Sequence, residues 1–520
     1  MACSKIFSEG GLSELLSDIM QYFRNDFSTL HSCILVNRLW CHLAIPLLWE
    51  NPFSIVSRTN YNNIKYHKIR FIETYLINLN DNDKIKLNEF YTLIISDCIE
   101  KWVAAAVNTH NSDFVKFIHK SLIKIFIENK AKLYIFNGIY HNKYFDESIL
   151  QSSHFIYNIK ILYLKINIPL LKFLSSNCES ITSLYILSFV KHNTTIEYHL
   201  SQLIKSQQNL KKICFIQEFP PILLNSNNRL NTLNTIIFRN IDFKNIHILN
   251  EVFEQLNVLE SIHIINCYSL DSNFIQQIIN LTKPFKLKSL FINRIFESIE
   301  LLLQKSGDYL ENFGLSFELT YCEDSQHLEL IKLITNYCTK IKFLELTGFN
   351  DNNQIIYSTF NLIETIKQNL NYLTIDINYD YTFGLNNRYT ELSSIVLQNL
   401  GQILPFKLEY LDLILTMNTN DLEIFLINSQ NTFIKKLLFF NITNGTRKKV
   451  GQDNILYNIE DYIMDMKRVK YFAFLNQFTD EEEKEELFYM IDKVEEFKLN
   501  NIVVQNYNDL KIEFFDLLKE

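Results

Sequence analysis

Apolar side chains near the start of the chain recur with the spacing of a helix. Leu12, Leu16, Ile19 and Phe23 fall at positions that share one face of an α-helix. Ser13 suits the first turn, because its hydroxyl oxygen can accept a hydrogen bond from a free backbone amide. The pattern therefore predicts a first helix over residues 12–23.

Two shorter helical patterns follow. Ser28 can begin a second helix that carries Leu30, and a third segment carries Val36 and Trp40. We expect Pro46 to end this third helix, because proline lacks an amide donor and clashes with the preceding turn. Three such helices bury little apolar surface, so part of that surface should be covered by a partner or by the rest of the chain.

A different pattern, apolar-x-x-apolar-x-apolar, occurs thirteen times after residue 158 at intervals of 22 to 38 residues. Its last two apolar positions, two residues apart, share one face of a strand, and stacked units of this kind form a continuous core. An ordinary α/β domain with chance periodicity is the alternative. The middle apolar residues of the pattern are Leu162, Leu184, Ile213, Ile236, Ile262, Leu290, Phe313, Leu344, Leu373, Leu411, Leu437, Phe472 and Phe497.

Helical patterns separate these predicted strands, for example over 249–256, 362–370 and 422–427. Alternating strands and helices at this interval predict an α/β fold with an inner parallel sheet and outer helices. The strand residues that alternate with the apolar ones would then face the inner surface. Aromatic and acidic side chains there suit a protein ligand, and the alternative is a solvated face without a ligand. The candidate target-binding residues are His263, Phe291, Glu345, Asp376 and Asp412.

Composition narrows the function classes. The chain has 520 residues and a net charge of −8, and it lacks the basic stripe of a nucleic-acid-binding protein. It has no apolar run of about 18 residues that could span a bilayer, and no secretory signal is visible. Nine cysteines without a regular framework are typical of reduced thiols. We therefore expect a cytoplasmic or nuclear protein that binds neither nucleic acid nor membrane.

The usual catalytic and cofactor motifs are missing from the sequence. It contains no glycine-rich phosphate loop, no GxSxG and no HExxH. Cys33, Cys41 and His42 do not have the spacing of zinc ligands, and the acidic run at 480–486 suits the start of a helix better than a calcium loop. We expect no catalytic residue, no metal and no cofactor, although an enzyme site assembled from distant residues stays a remote alternative.

Residues 8–50 resemble an F-box. The residues that match the family pattern are Leu12, Glu14, Leu15, Leu16, Ile19, Phe23, Leu30, Val36, Arg38 and Trp40, followed by Leu47, Leu48 and Trp49. Ser13 stands where the family usually has proline. The thirteen recurrences resemble degenerate leucine-rich repeats, an array that F-box proteins often carry.

This resemblance implies a substrate-recognition subunit of an SCF-type cullin–RING ubiquitin ligase, without catalytic residues of its own. The F-box would bind a Skp-type adaptor, and through it a cullin, while the repeats would bind an unknown target protein. The residues implied in adaptor binding are Leu12, Leu16, Ile19, Val36 and Trp40.

The expected organisation has four parts, and one alternative function stays open. The parts are an F-box over 8–50, a mostly helical connection over 51–155, a repeat solenoid over 156–505 and a capping segment over 506–520. The alternative is a non-catalytic repeat scaffold outside any ubiquitin ligase, in which the N-terminal helices only cap the solenoid. It requires Leu12, Leu16 and Trp40 to be covered by the chain itself.

Overall fold

The computed structural model divides the described residues into two compact units. The first lies within 1–236 and 256–258, and the second within 237–255 and 259–520. The structure describes residues 16, 19–20, 22–23, 27–50, 134–137, 156–165, 168–187, 194–219, 231–244, 246–295, 298–317, 324–349, 352–377, 387–443, 455–466, 468–478 and 484–518.

The first unit contains two N-terminal helices, α1 (Phe27–Ile34) and α2 (Arg38–Glu50). Asn37 caps α2, because its side-chain oxygen accepts a hydrogen bond from the amide of Trp40 at 3.0 Å. The expectation that Pro46 ends the helix is wrong, since α2 continues to Glu50. Proline removes a single backbone hydrogen bond, and the buried side chains of Ala44 and Leu47 on either side of it hold the helix in place.

Four parallel strands complete the first unit. They pair in chain order with two helices between them, and β1 lies inside the region that the sequence predicted as mostly helical. The elements are β1 (Ile135–Asn137), β2 (Ile161–Lys165), α3 (Ile168–Asn177), β3 (Ser183–Leu187), α4 (Thr194–Ser206) and β4 (Lys212–Ile216), followed by β5 (Thr235–Arg239), which contains the boundary between the units.

The second unit alternates strands and helices. Its strands are β6 (Ser261–Ile265), β7 (Leu287–Ile292), β8 (Asn312–Ser316), β9 (Phe343–Thr347), β10 (Tyr372–Asp376), β11 (Lys407–Leu415), β12 (Phe433–Thr443), β13 (Tyr471–Phe478), β14 (Lys484–Glu486) and β15 (Val503–Val504). Its helices are α5 (Leu249–Gln255), α6 (Ser272–Ile279), α7 (Ile299–Ser306), α8 (Asp324–Tyr337), α9 (Asn353–Ile366), α10 (Asn387–Ile403), α11 (Thr419–Asn428), α12 (Ile455–Met466), α13 (Ile491–Leu499), α14 (Tyr507–Leu510) and α15 (Phe514–Leu517).

Strands β6 to β13 pair with their sequence neighbours, all in parallel, and form an open sheet. The edge strand β14 is antiparallel to β13, and β15 is parallel to it. Twelve of the thirteen recurrences coincide with strands across the two units. The thirteenth is wrong, because Phe497 lies in helix α13.

The helices of the second unit cover one face of this sheet. Phe425 of α11 contacts Phe439 of β12 with a ring distance of 6.2 Å, and Phe497 of α13 contacts Phe472 of β13 at 5.4 Å. The strand residues of the recurring pattern lie on this face and are almost completely buried, as Leu344 illustrates. Burial of each such side chain stabilises the fold by about 1.5–3 kcal/mol.

On the opposite face of the same sheet, which we call the open face, the described residues place no helix of the β–α alternation. Residues 507–518, which we call the terminal segment, lie against it instead. The sequence predicted a capping segment over 506–520. The structure places the described part of that segment over strands in the middle of the sheet, where its Phe514 meets Phe291 of β7 and Phe343 of β9.

Candidate protein-binding surfaces

The N-terminal helices have a small core of their own. Its buried members are Met20, Leu30, Cys33, Ala44 and Leu47. Short helices leave few positions for such a core, so several apolar side chains remain outside it.

The structure separates the residues that the resemblance implied in adaptor binding. Leu16 is only 7% exposed, whereas Ile19 is 40% and Val36 57% exposed. Trp40 is partly buried and packs against the small core. Leu12 lies outside the described residues. Ile19 and Val36 are therefore accessible to a partner, and Leu16 and Trp40 have roles within the fold.

Two accessible residues near this surface were not chosen from the sequence. Tyr22 is 88% and Leu35 is 77% exposed. Leu35 directly precedes Val36 in the turn between α1 and α2. Leu35 and Val36 therefore present adjacent apolar surface that a partner can cover.

All five residues proposed for target binding lie on the open face. Strand register aligns Phe291 of β7 with Gly314 of β8, and Gly314 with Glu345 of β9. Through Thr374 of β10, Glu345 aligns with Asp412 of β11. His263 and Asp376 lie in the rows on either side of this central row. The alternation of side chains along each strand thus predicted which face of the sheet these five residues occupy.

His263 is engaged in a polar contact between strands. Its Nδ1 lies 2.7 Å from the hydroxyl oxygen of Ser289, which also accepts a hydrogen bond from the amide of Asn312 at 2.9 Å. His263 and Ser289 are both buried. The contact ties β6, β7 and β8 together on the open face, and the Ser289 hydroxyl has no path to a ligand.

Asp412 is the most enclosed of the five, with no exposed surface. Tyr507 of the terminal segment donates a hydrogen bond to its Oδ1 at 2.7 Å, and Tyr410 donates to its Oδ2 at 3.2 Å. Burial raises the pKa of Asp412 to about 6, although both hydroxyl donors and the charge of Lys511 oppose the shift.

Glu345 lies two strands away from Asp412, on β9, at a partly buried position. Burial raises its pKa to about 7, and the carboxylates of Asp412 and Glu513 add to the shift, while Lys511 opposes it. A carboxyl group with a pKa near 7 changes its charge within the physiological range. The centre of the open face is therefore a pair of acidic groups that Lys511 only partly neutralises.

A cavity of about 290 Å³ remains between the terminal segment and the open face. Glu345, Thr374 and Asp376 line it from the sheet, Arg239 lines it from the end of β5, and Glu513 lines it from the terminal segment. The lining mixes both charges with hydroxyl and aromatic groups. Such a lining favours a polar peptide over an apolar ligand.

Three residues on this face escaped sequence reasoning, namely Arg239, Tyr507 and Phe514. The Arg239 guanidinium lies 4.1 Å from the ring centre of Phe515 in a cation–π contact. The adjacent pair Phe514–Phe515 near the end of an acidic, polar stretch was the available signal. The position of that pair on the sheet depends on contacts between residues far apart in sequence.

Within the described residues, we find no group of three or more His, Cys, Asp or Glu side chains that could hold a metal ion. The thiols of Cys33, Cys178, Cys214, Cys267 and Cys338 are buried and free of disulfide bonds. No described helix is both long and apolar enough to cross a bilayer.

Comparison of the sequence with protein-family models and with curated proteins gives no match. The described residues offer two candidate binding surfaces, namely the exposed apolar side chains of the N-terminal helices and the open face of the second unit.

Proposed function

We propose that the chain is a substrate-recognition subunit of an SCF-type cullin–RING ubiquitin ligase. In this role the N-terminal helices bind a Skp-type adaptor, and through it a cullin, in the cytoplasm or nucleus. The observation that carries the proposal is the exposure of Ile19 and Val36 beside a core that the helices already complete among themselves. Covering such aliphatic side chains with a partner removes apolar surface from water, which favours binding.

The second part of the proposal is that the strands and helices after residue 156 form a degenerate leucine-rich-repeat solenoid that binds the target. Parallel strands in chain order, each followed by a helix on one face, support it. Cys267 adds support at a position where such repeats carry Asn or Cys. Its thiol donates to the carbonyl of Phe238 at 3.4 Å and so joins the residues that follow β6 to strand β5.

A second candidate is a repeat scaffold that belongs to no ubiquitin ligase. The burial of Leu16 and the partial burial of Trp40 favour it, because both side chains are then used for folding. Ser13, in place of the family's proline, also weakens the expected fit to an adaptor. The ligase role requires the exposed Val36 to bind an adaptor, whereas the scaffold role does not.

The experiment compares ubiquitin conjugation in cells that express the wild-type chain or Val36→Asp. If the proposal is correct, a set of proteins is ubiquitinated with the wild-type chain and loses this modification with Val36→Asp. Tyr357→Asp, at an exposed position of α9, is the matched control and should behave as wild type. Identical conjugation with all three chains would reject the ligase role and leave the scaffold.

A further inference from the structure

The terminal segment is held on the open face by side chains rather than by strand pairing. Among the described residues, its backbone-to-backbone hydrogen bonds are local, such as that from the Lys511 amide to the Tyr507 carbonyl at 2.8 Å, while the amide of Tyr507 donates to the carboxylate of Glu486. Its anchors are the hydroxyl of Tyr507 on Asp412 and the amide of Ile512, which donates to the hydroxyl of Tyr410 at 3.2 Å. Tyr507 and Leu510 are also buried in an apolar cluster with residues of β11, β12 and β13, so release of the segment breaks no strand pairing but uncovers these two side chains.

A second set of anchors is aromatic. Phe514 stacks on Phe291 with a ring distance of 4.1 Å and meets the edge of Phe343 at 5.3 Å. The next residue, Phe515, receives the guanidinium of Arg239. Offset stacking and cation–π contacts are the interactions by which peptides are anchored at protein interfaces.

The fit between the terminal segment and the sheet is incomplete. Lys511 and Glu513 are exposed on one side and line the cavity of about 290 Å³ on the other. This cavity is open to solvent beside the segment, so the segment leaves part of the sheet surface uncovered. The sheet side of the void carries Glu345, with its raised pKa, and the threonine hydroxyls of Thr347 and Thr374. These groups are available to a longer or differently shaped polar side chain.

We propose that the terminal segment is an intramolecular stand-in for the recognition segment of a target protein, and that the two compete for the open face. The target segment carries a tyrosine and two adjacent aromatic residues with the spacing of Tyr507, Phe514 and Phe515. The tyrosine donates to Asp412, and the aromatic pair occupies the surface formed by Phe291, Phe343 and Arg239. A cationic side chain at the position of Lys511 faces Glu345 and Asp412. This inference rests on the proposed role of the open face in target binding.

The probe is a fluorescent synthetic peptide with the sequence of residues 505–518, titrated into the full chain. In the wild type the covalently attached segment has an effective concentration of about 1 mM, so it excludes micromolar peptide. In Phe514→Ala the attached segment loses its main aromatic anchor, and we expect the peptide to bind at least about tenfold more tightly than to wild type. The control is Tyr357→Ala, an exposed aromatic of α9, which should bind the peptide no better than wild type does.

Variants of the peptide test which of its side chains are needed for binding. Replacing its tyrosine by phenylalanine, or its two adjacent phenylalanines by alanine, should abolish most of the gain seen with Phe514→Ala. Should Phe514→Ala fail to fold by circular dichroism, Arg239→Gln is the second variant, because it loosens the far end of the segment without removing a buried side chain.

Two results overturn the inference. One is a folded Phe514→Ala or Arg239→Gln chain that binds the peptide no better than wild type. The other is an increase in affinity that is equally large for all peptide variants. Adaptor binding, measured on the same samples, separates this inference from the proposed ligase role. Peptide competition without adaptor binding rejects the ligase role alone, and adaptor binding without peptide competition rejects the inference alone.

Discussion

The N-terminal helices and the second unit place their apolar side chains differently. In the second unit the strand residues of the recurring pattern are almost all buried beneath helices, and the terminal segment covers part of the other face. In the N-terminal helices a five-residue core coexists with the exposed side chains of Tyr22, Leu35 and Val36. The second unit thus buries the strand positions of its recurring pattern and leaves other apolar side chains, such as Phe406 and Leu499, in solvent, whereas the N-terminal helices expose the consecutive Leu35 and Val36 of one turn beside their small core.

This difference separates two uses of apolar residues. Where burial is complete, an apolar side chain contributes to stability, and its loss weakens the fold. Where burial is incomplete in a region that already has a core, the side chain contributes little to the stability of the fold. It can then contribute to binding. Substitutions in the two regions should therefore differ in their effects.

The largest expected effect is on the helix-covered face. Leu344→Ala removes a fully buried side chain in the middle strands and leaves a cavity, so we expect the free energy of unfolding to fall by about 3 kcal/mol. Urea denaturation followed by circular dichroism measures it. A loss below about 1 kcal/mol would mean that this face is not the close-packed core described above.

The next effect is on the open face. Phe514→Ala removes a buried ring that stacks on Phe291. We expect a loss of about 2 kcal/mol, less than the roughly 3–5 kcal/mol of a phenylalanine in a rigid core, because the terminal segment can separate from the sheet. The same urea titration measures this loss. A loss as large as that of Leu344→Ala would show that the segment is a fixed part of the core.

A smaller effect comes from the buried acid. Burial raises the pKa of Asp412 from 3.8 to about 6, so between these values the folded chain holds more protons than the unfolded chain. The protonated carboxyl therefore stabilises the fold at low pH, and this contribution is lost as the pH rises through about 6. Asp412→Asn removes this titration and keeps the shape of the side chain.

We expect the stability of Asp412→Asn relative to wild type to increase by at least about 1 kcal/mol between pH 4 and pH 7. Using the difference between the two chains cancels the carboxyl groups that Asp412 does not influence, including Glu311, whose pKa is lowered beside Lys288 and Lys342. Glu345 does not cancel, because the charge of Asp412 helps to raise its pKa, and its contribution has the same sign as that of Asp412. Urea denaturation of both chains at the two pH values measures this stability difference. A difference that stays constant or reverses its sign would contradict the assigned shift.

The smallest effect on stability is expected in the N-terminal helices. Val36→Ser changes an exposed side chain, so the free energy of unfolding should change by less than about 0.5 kcal/mol. A change of more than about 1 kcal/mol, measured in urea, would show that the chain itself covers Val36, and the comparison between the two regions would fail.

The strands were largely predictable, because the positions that they bury follow a pattern within a few consecutive residues. Two apolar positions separated by one residue fix which side of a strand meets the helices, and twelve of the thirteen recurrences lie in strands. Phe497 failed because the spacing of three between Val494 and Phe497 also suits one face of a helix, whereas Leu499 lies off that face and is exposed. The strand β1 was missed because three residues are too few to show a period.

The open face was predictable only in part. Alternation along the strands placed His263, Phe291, Glu345, Asp376 and Asp412 on one face, but their cover came from elsewhere. Tyr507 and Asp412 are 95 positions apart, and no local pattern joins them. The same limit applies to Leu16, which helical periodicity placed on the apolar face of a helix without indicating whether the chain or a partner would cover it.

We propose that the exposed apolar side chains of the N-terminal helices bind a Skp-type adaptor. The decisive experiment is calorimetric titration of the purified full chain with such an adaptor, with Val36→Asp as the paired variant. We predict a one-to-one complex with a dissociation constant of about 1 µM or tighter, weakened at least about tenfold in Val36→Asp, since a charge at a desolvated contact is costly. No binding by a folded wild-type chain at micromolar concentrations, or equal binding by both chains, would contradict it.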